Sequence, residues 1–89
     1  MLDRTHADTA ERVALLVRRL FAKRAIERSV GPDDDLSTSG LSSLDIVNLM
    51  LSVETEFDIK IPDREMTPAN FRSIARIDAL VRTLAERTA

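Results

Sequence analysis

The sequence from Gly40 to Phe57 reads GLSSLDIVNLMLSVETEF, and it indicates most directly how the chain folds. Two serines precede a run rich in apolar residues, and serine is strongly favoured as the N-cap of a helix. Ser42 is the predicted N-cap, with Asp45 reaching back to it as a short counterpart of the glutamate in a capping box. Ser43 then occupies the first turn. We expect this helix to end at about Phe57.

The apolar residues of this helix fall on two opposite sides of a helical wheel drawn at about 100° per residue. The side predicted to face the core consists of Ile46, Leu49, Met50, Val53 and Phe57. The opposite side, called the apolar row below, consists of Leu44, Val47 and Leu51. A domain of this size has too little interior to bury both sides readily, so the pattern predicts a contact surface for another protein.

Acidic residues flank the apolar row, namely Asp45, Glu54 and Glu56. The predicted contact surface is therefore apolar at its centre and acidic at its border. Two alternatives stay open on periodicity alone. Residues 29–42 could fold back over the row, or its three side chains could be tolerated singly at the surface.

The rest of the chain predicts further helices and no sheet. Residues 9–24 and 74–84 place apolar side chains at the three-and-four spacing of one helix face, and Ser73 is the expected cap of the last helix. The pair Thr67-Pro68 predicts a short helical turn between the second and last helices. β-branched residues are scattered rather than alternating, which argues against strands.

Residues 29–42 hold both glycines of the protein and four of its serines, a composition typical of a loop. Leu36 and Leu41 are expected to anchor this long first loop in the core. The whole pattern predicts an all-α fold, a four-helix bundle of three main helices and one short helix joined by the long first loop.

Length and composition predict one domain over residues 1–89, since the chain is 44% apolar and 31% charged. No apolar run approaches the roughly 20 residues of a membrane-spanning helix. The first residues lack the pattern of a secretion signal, so we expect a cytoplasmic monomer without membrane insertion. The absence of cysteine excludes disulfides, thiolate metal sites and a cysteine nucleophile.

The formal net charge of −2 hides an uneven distribution of charge. Residues 1–28 carry +3, residues 29–65 carry −7 and residues 66–89 carry +2. An acidic middle argues against binding to nucleic acid, which requires clustered basic residues. It favours partner proteins with basic patches.

Catalytic and metal-binding interpretations find little support in the sequence. A Ser-His-Asp hydrolase would need His6 beside a serine, and no Gly-x-Ser-x-Gly turn is present. Residues 33–35 are aspartates but lack the spacing of a calcium loop. Glu54 and Glu56 do not face each other on a helix, as a general acid and base would. For Ser43, at the positive end of a helix, phosphate attachment competes with simple capping, and position alone does not decide between them.

Two parts of the chain resemble the acyl carrier proteins, namely residues 40–47 and the sequence VETEFDIKIPD over residues 53–63. In that family the second helix opens with Asp-Ser-Leu and closes with a glutamate-rich stretch, Phe and Ile-Pro. The likeness extends to the length, the order of the helices and the long first loop. It implies the four-helix fold of an acyl carrier protein for the whole chain.

The resemblance also implies that Ser43 is the attachment point of 4′-phosphopantetheine, transferred from coenzyme A by a separate magnesium-dependent phosphopantetheinyl transferase. The protein itself would then be no enzyme. Its arm would carry an acyl group as a thioester to transferases and synthases of fatty-acid, lipid or polyketide-type biosynthesis. Those partners would contact the apolar row and, through basic patches, Asp45, Glu54 and Glu56. The thiol that the sequence lacks would come with the cofactor.

Two departures from the family pattern predict a specialised carrier. The aspartate before the attachment serine is Ser42 here, and a frequent glutamate of the second helix is Asn48. Two acidic contacts used by general fatty-acid enzymes are therefore lost. The alternative is an aminoacyl or peptidyl carrier loaded by an adenylating ligase. A further alternative is a helical adaptor without cargo, in which Ser43 only caps the helix.

Overall fold

The computed structural model describes the backbone of residues 3–88 and the side chains of residues 9–86. Its helices are α1 (Asp3–Lys23), α2 (Ser43–Phe57) and α3 (Ile74–Thr88), and its 3-10 turns are Ser37–Ser39, Asp63–Glu65 and Ala69–Phe71. The described residues contain no strand, so the predicted all-α fold is confirmed. The short helix predicted after Thr67-Pro68 corresponds to the 3-10 turn Ala69–Phe71. His6 lies outside the described side chains.

One apolar core lies between the helices, and α1 contacts both α2 and α3. The helices contribute to it the buried residues Val13, Val17, Phe21, Ile46, Leu49, Met50, Val53, Ile74, Ile77, Leu80, Val81 and Leu84. Each fully buried side chain of this size stabilises the fold by about 1.5–3 kcal/mol relative to an exposed one. The predicted inner face of α2 is confirmed, with Phe57 half-buried against the same core.

The first loop is anchored at both predicted positions. Leu36 is fully buried, and Leu41 is 5% exposed. Two backbone hydrogen bonds also tie the loop to the start of α3. The Leu36 N–H donates to the Arg72 carbonyl at 2.7 Å, and the Ala75 N–H donates to the Pro32 carbonyl at 2.9 Å. These contacts hold the end of the loop in place where it leads into α2.

The aspartates of the first loop stabilise its turns. The Asp34 carboxylate accepts a hydrogen bond from the Gly31 N–H at 2.8 Å. Asp35 accepts one from the Ser37 N–H at 2.9 Å and one from the Ser37 hydroxyl at 2.6 Å. The Ser37 hydroxyl is the main cause that lowers the pKa of Asp35 below its ordinary value. Within the described chain, no group of three or more acidic, histidine or cysteine side chains could hold a metal ion.

The last helix is capped as the sequence predicts. The Ser73 hydroxyl accepts a hydrogen bond from the Arg76 N–H at 3.2 Å. Just before it, the Thr67 hydroxyl accepts one from the Asn70 N–H at 3.3 Å and so caps the turn that follows Pro68. Of the helices in residues 3–88, none combines the length and the apolar character that crossing a membrane requires.

Candidate functional site

The start of α2 separates the roles of its two serines. The Ser42 hydroxyl accepts a hydrogen bond from the Asp45 N–H at 3.2 Å, and the Asp45 carboxylate accepts one from the Ser42 N–H at 3.0 Å. The predicted capping box is thus confirmed. Ser43 is exposed, and among the described residues its hydroxyl has no hydrogen-bond partner. One serine caps the helix, and the next one presents a hydroxyl to solvent at the positive end of the helix dipole.

Asp45 corrects the prediction of an exposed acidic border. Asp45 is only 3% exposed, because its carboxylate turns towards α1. Arg24 forms an ion pair with this carboxylate and donates a hydrogen bond from Nε to Oδ1 at 2.7 Å. The Ser42 N–H is the main cause that lowers the pKa of Asp45, with Arg24 as a further cause. The side chain fixes the start of α2 against α1 and presents little surface to a partner.

The buried Asp45 predicts acid sensitivity of the fold. The folded-state pKa values of Asp45 and Asp35 lie below their ordinary 3.8, so their ionised forms stabilise the folded state above that pH. This contribution is lost as the pH falls through the folded values, and we expect Tm to be constant above about pH 5 and to fall in stronger acid. Asp45→Asn should lower Tm at neutral pH and make the fall of Tm in acid smaller. Thermal melts followed by circular dichroism over a range of pH test this. A fall of Tm in acid identical to that of the wild type would contradict it.

Glu54 and Glu56 are half-buried and bonded within the chain. Glu54 accepts a hydrogen bond from the Ile61 N–H at 2.8 Å and so fixes the segment that follows α2. Glu56 pairs with Arg12 at 2.9 Å, and the same guanidinium lies 4.4 Å from the centre of the Phe57 ring. These side chains therefore join elements of the fold. Their contact with a partner stays a prediction.

The apolar row is exposed as the sequence predicts. Leu44 is 64% exposed, Val47 46% and Leu51 51%. The alternative in which residues 29–42 cover the row is therefore wrong, because that loop turns its leucines into the core instead. Three exposed apolar side chains on one face of a helix form a continuous patch, which is more typical of a contact surface than of isolated surface residues.

A groove beside Ser43, called the serine groove below, was missed by the sequence analysis. It has a volume of about 650 Å³, and its lining is Ser37, Leu41, Ser42, Ser43, Ile46, Val47, Met50, Met66 and Pro68. The sequence gives no local signal that Met66 and Pro68 return to the start of α2, because folding alone brings them there. The lining is mostly apolar.

The serine groove contains no titratable side chain. A serine becomes a nucleophile only when a neighbouring base takes its proton, so this lining supplies nothing that would activate Ser43. A hydrolase built on Ser43 is therefore unsupported. An exposed hydroxyl at a helix N-terminus does fit a phosphodiester made by another enzyme, because helix N-termini favour phosphate.

Comparisons with known proteins identify relatives over most of the chain. The family model described as "Phosphopantetheine attachment site" matches residues 12–84. Aminoacyl carrier protein 1 of Bradyrhizobium diazoefficiens is 41% identical over 78 residues, which are 88% of this chain and 87% of the relative. Aminoacyl carrier protein 2 of the same organism is 39% identical over 80 residues, which are 90% of either chain.

A solved structure has the same fold. It is the carrier protein in the complex of Bradyrhizobium japonicum glycine:[carrier protein] ligase with its cognate carrier protein and an analogue of glycyl adenylate. The match has a TM-score of 0.76 at 40% identity and covers 84% of this chain and 96% of that one. The carrier-type fold predicted from the resemblance is confirmed.

The family match establishes a role as a carrier, and the named relatives favour the aminoacyl alternative over the main expectation about cargo. The curated relatives are named aminoacyl carrier proteins, so fatty-acid, lipid or polyketide biosynthesis finds no support, and the aminoacyl alternative is the better supported one. Carrier proteins of this family are not enzymes themselves. The chain belongs to the phosphopantetheine attachment site family and is a carrier protein with a covalently attached phosphopantetheine group.

Proposed function

We propose that this protein is an aminoacyl carrier whose phosphopantetheine is attached to Ser43. The observation that carries the proposal is the division of roles at the start of α2. Ser42 caps the helix, whereas the neighbouring hydroxyl of Ser43 is exposed and has no hydrogen-bond partner in the described part of the chain. We further propose that the chain acts as one carrier domain over residues 1–89, as a monomer and in the cytoplasm, where coenzyme A and ATP are available.

The start of α2 offers the acceptor hydroxyl for attachment, and the transferase supplies the rest of the chemistry. The Ser43 oxygen would attack the phosphate of coenzyme A that bears the pantetheine, form a P–O bond to it and release adenosine 3′,5′-bisphosphate. The proton of the hydroxyl would go to a base of the phosphopantetheinyl transferase, because the serine groove has none. The capping box and the ion pair between Arg24 and Asp45 hold the helix end still while the transferase docks.

The cargo is proposed from the relatives. Two of them are named aminoacyl carrier proteins, and the carrier of similar fold is bound to a ligase that acts with glycine. When bound, phosphopantetheine supplies a terminal thiol that holds the amino acid as a thioester. The apolar row on α2 is the proposed docking surface for the adenylating ligase, and Ser43 lies at the start of the same helix.

The choice of cargo can be tested by offering two loading systems to the same protein. The phosphopantetheine-bearing wild type is incubated either with the Bradyrhizobium japonicum glycine:[carrier protein] ligase, ATP and glycine, or with a fatty acyl:[carrier protein] ligase, ATP and a fatty acid. We expect a mass increase of one glycyl group in the first reaction and at most trace acylation in the second. Fatty acylation without glycylation would contradict the proposal.

A further inference from the structure

A second groove, called the α1–α2 groove below, lies between the first two helices and has a volume of about 660 Å³. The α1 wall carries three cations, Arg19, Lys23 and Arg24. The α2 wall opposite them presents three uncharged polar residues, Asn48, Ser52 and Thr55. The α2 wall also contains one carboxylate, Glu56, so the lining holds three cations and a single anion.

The charges of this groove are only partly balanced within the chain. Arg24 is paired with Asp45, and Glu56, the one carboxylate of the described lining, is paired with Arg12. Arg19 and Lys23 are exposed, and neither side chain has a hydrogen bond or an ion pair with any residue of the described chain. The groove thus keeps two unpaired positive charges.

The arrangement of the two cations is unfavourable for α1 alone. Arg19 and Lys23 are four residues apart on one helix face, where like charges destabilise a helix. Asn48, Ser52 and Thr55, across the groove on α2, carry no charge that could offset them. The two cations are therefore available to an anionic group from outside the chain.

The groove is continuous with the apolar row through Leu51, which belongs to both. Cations along α1 therefore border the proposed docking surface. The three acidic residues that the sequence predicts at this border, Asp45, Glu54 and Glu56, are instead bonded to other residues of the chain. An apolar patch with a charged border is the usual form of a protein–protein interface. Its positive border complements a negative one on the partner.

We propose that the α1–α2 groove docks an acidic segment of the aminoacyl-loading ligase. Carboxylates of that segment meet Arg19 and Lys23, and its apolar side chains lie on Leu51. A small anion would need the cations alone, whereas an amphipathic protein segment uses both the cations and the exposed leucine. This inference rests on the proposed function. The acidic middle of the sequence predicts a basic surface on the partner, whereas the α1–α2 groove predicts an acidic one.

The test compares two double variants that carry the same net charge. Arg19→Glu/Lys23→Glu reverses the groove cations, and Arg18→Glu/Arg28→Glu reverses two exposed cations that do not line the groove. The probe is the Bradyrhizobium japonicum glycine:[carrier protein] ligase, and binding to each phosphopantetheine-bearing variant is measured at low and high salt. Circular dichroism melts establish that each variant is folded.

We expect the groove variant to bind at least about tenfold more weakly at low salt, with a difference that shrinks as salt screens the charges. The control variant should bind within about twofold of the wild type, because its reversed charges lie outside the groove, and its equal net charge reveals any loss caused by general electrostatics. Equally weakened binding of both variants, or unchanged binding of both, would overturn the groove proposal. Glycylation of the wild type would in that case still support the proposed function. If the wild type is neither bound nor glycylated, the proposed function fails and the inference fails with it.

Discussion

Replacement of Ser43 by alanine should abolish the attachment of phosphopantetheine while leaving the fold intact. The Ser43 hydroxyl makes no hydrogen bond within the described chain, so its loss should change the free energy of unfolding by less than about 0.5 kcal/mol. The readout is the intact mass after co-expression with a broad-specificity phosphopantetheinyl transferase. The wild type should gain one phosphopantetheine, and the variant none.

The neighbouring serine provides a matched control for this experiment. Ser42→Ala removes the N-cap, which should destabilise the protein by about 1 kcal/mol. It should still gain phosphopantetheine, because the attached hydroxyl is unchanged. Ser43→Ala should therefore change modification but not stability, and Ser42→Ala should change stability but not modification. If Ser42→Ala lost the modification and Ser43→Ala kept it, the assignment of the attachment residue would be wrong.

A charge placed in the apolar row should have the second largest effect. Leu51 is 51% exposed, so Leu51→Glu leaves the core untouched but puts a carboxylate where the proposed interface is apolar. Loss of a hot-spot contact in an interface costs about 2 kcal/mol or more, so kcat/KM for glycylation of the phosphopantetheine-bearing protein should fall by about 30-fold or more.

Leu15 supplies the control for the apolar row. It is a leucine of α1 that is 41% exposed and lies outside the row. Leu15→Glu adds the same charge to the same kind of surface position, so its kcat/KM should stay within about twofold of the wild type. If kcat/KM fell equally in the two variants, the effect would be due to net charge, and the apolar row would not be part of the docking surface.

The local features of the fold were predictable from the sequence because they depend on neighbouring residues. The capping box needs only Ser42 and Asp45, which are three residues apart, and the two faces of α2 follow from its periodicity. The cap at Ser73 is equally local. Burial of Leu36 and Leu41 was predictable because apolar residues in a polar loop have few other places to go.

The contacts that escaped the sequence analysis join residues far apart in the chain. Arg24 reaches Asp45 across 21 positions, and Arg12 reaches Glu56 across 44. No periodicity indicates such pairs, so the acidic residues of α2 were expected to face a partner. The helical wheel did contain a signal for one of them, because Asp45 lies only about 40° from Leu49 on the inner face. A carboxylate so placed requires an internal cation, and Arg24 supplies it.

The candidate site was predictable in part. Position alone left Ser43 undecided between a cap and an attachment residue, and the resemblance to acyl carrier proteins favoured attachment. The structure adds the separation of Ser43 from the capping contacts and the serine groove, which depends on the return of Met66 and Pro68. The kind of cargo could not be deduced from the fold, because it depends on partner enzymes, and the main expectation of a fatty acyl group gave way to the aminoacyl alternative.

The most direct measurement of the central claim is tandem mass spectrometry of the glycylated wild type after proteolysis. It locates the added group at a single residue and identifies the cargo in the same spectrum. We predict glycyl-phosphopantetheine on the peptide that contains Ser43, with fragment ions that place the phosphodiester on this serine and not on Ser42. A modified peptide that lacks Ser43, or a phosphodiester on Ser42, would contradict it.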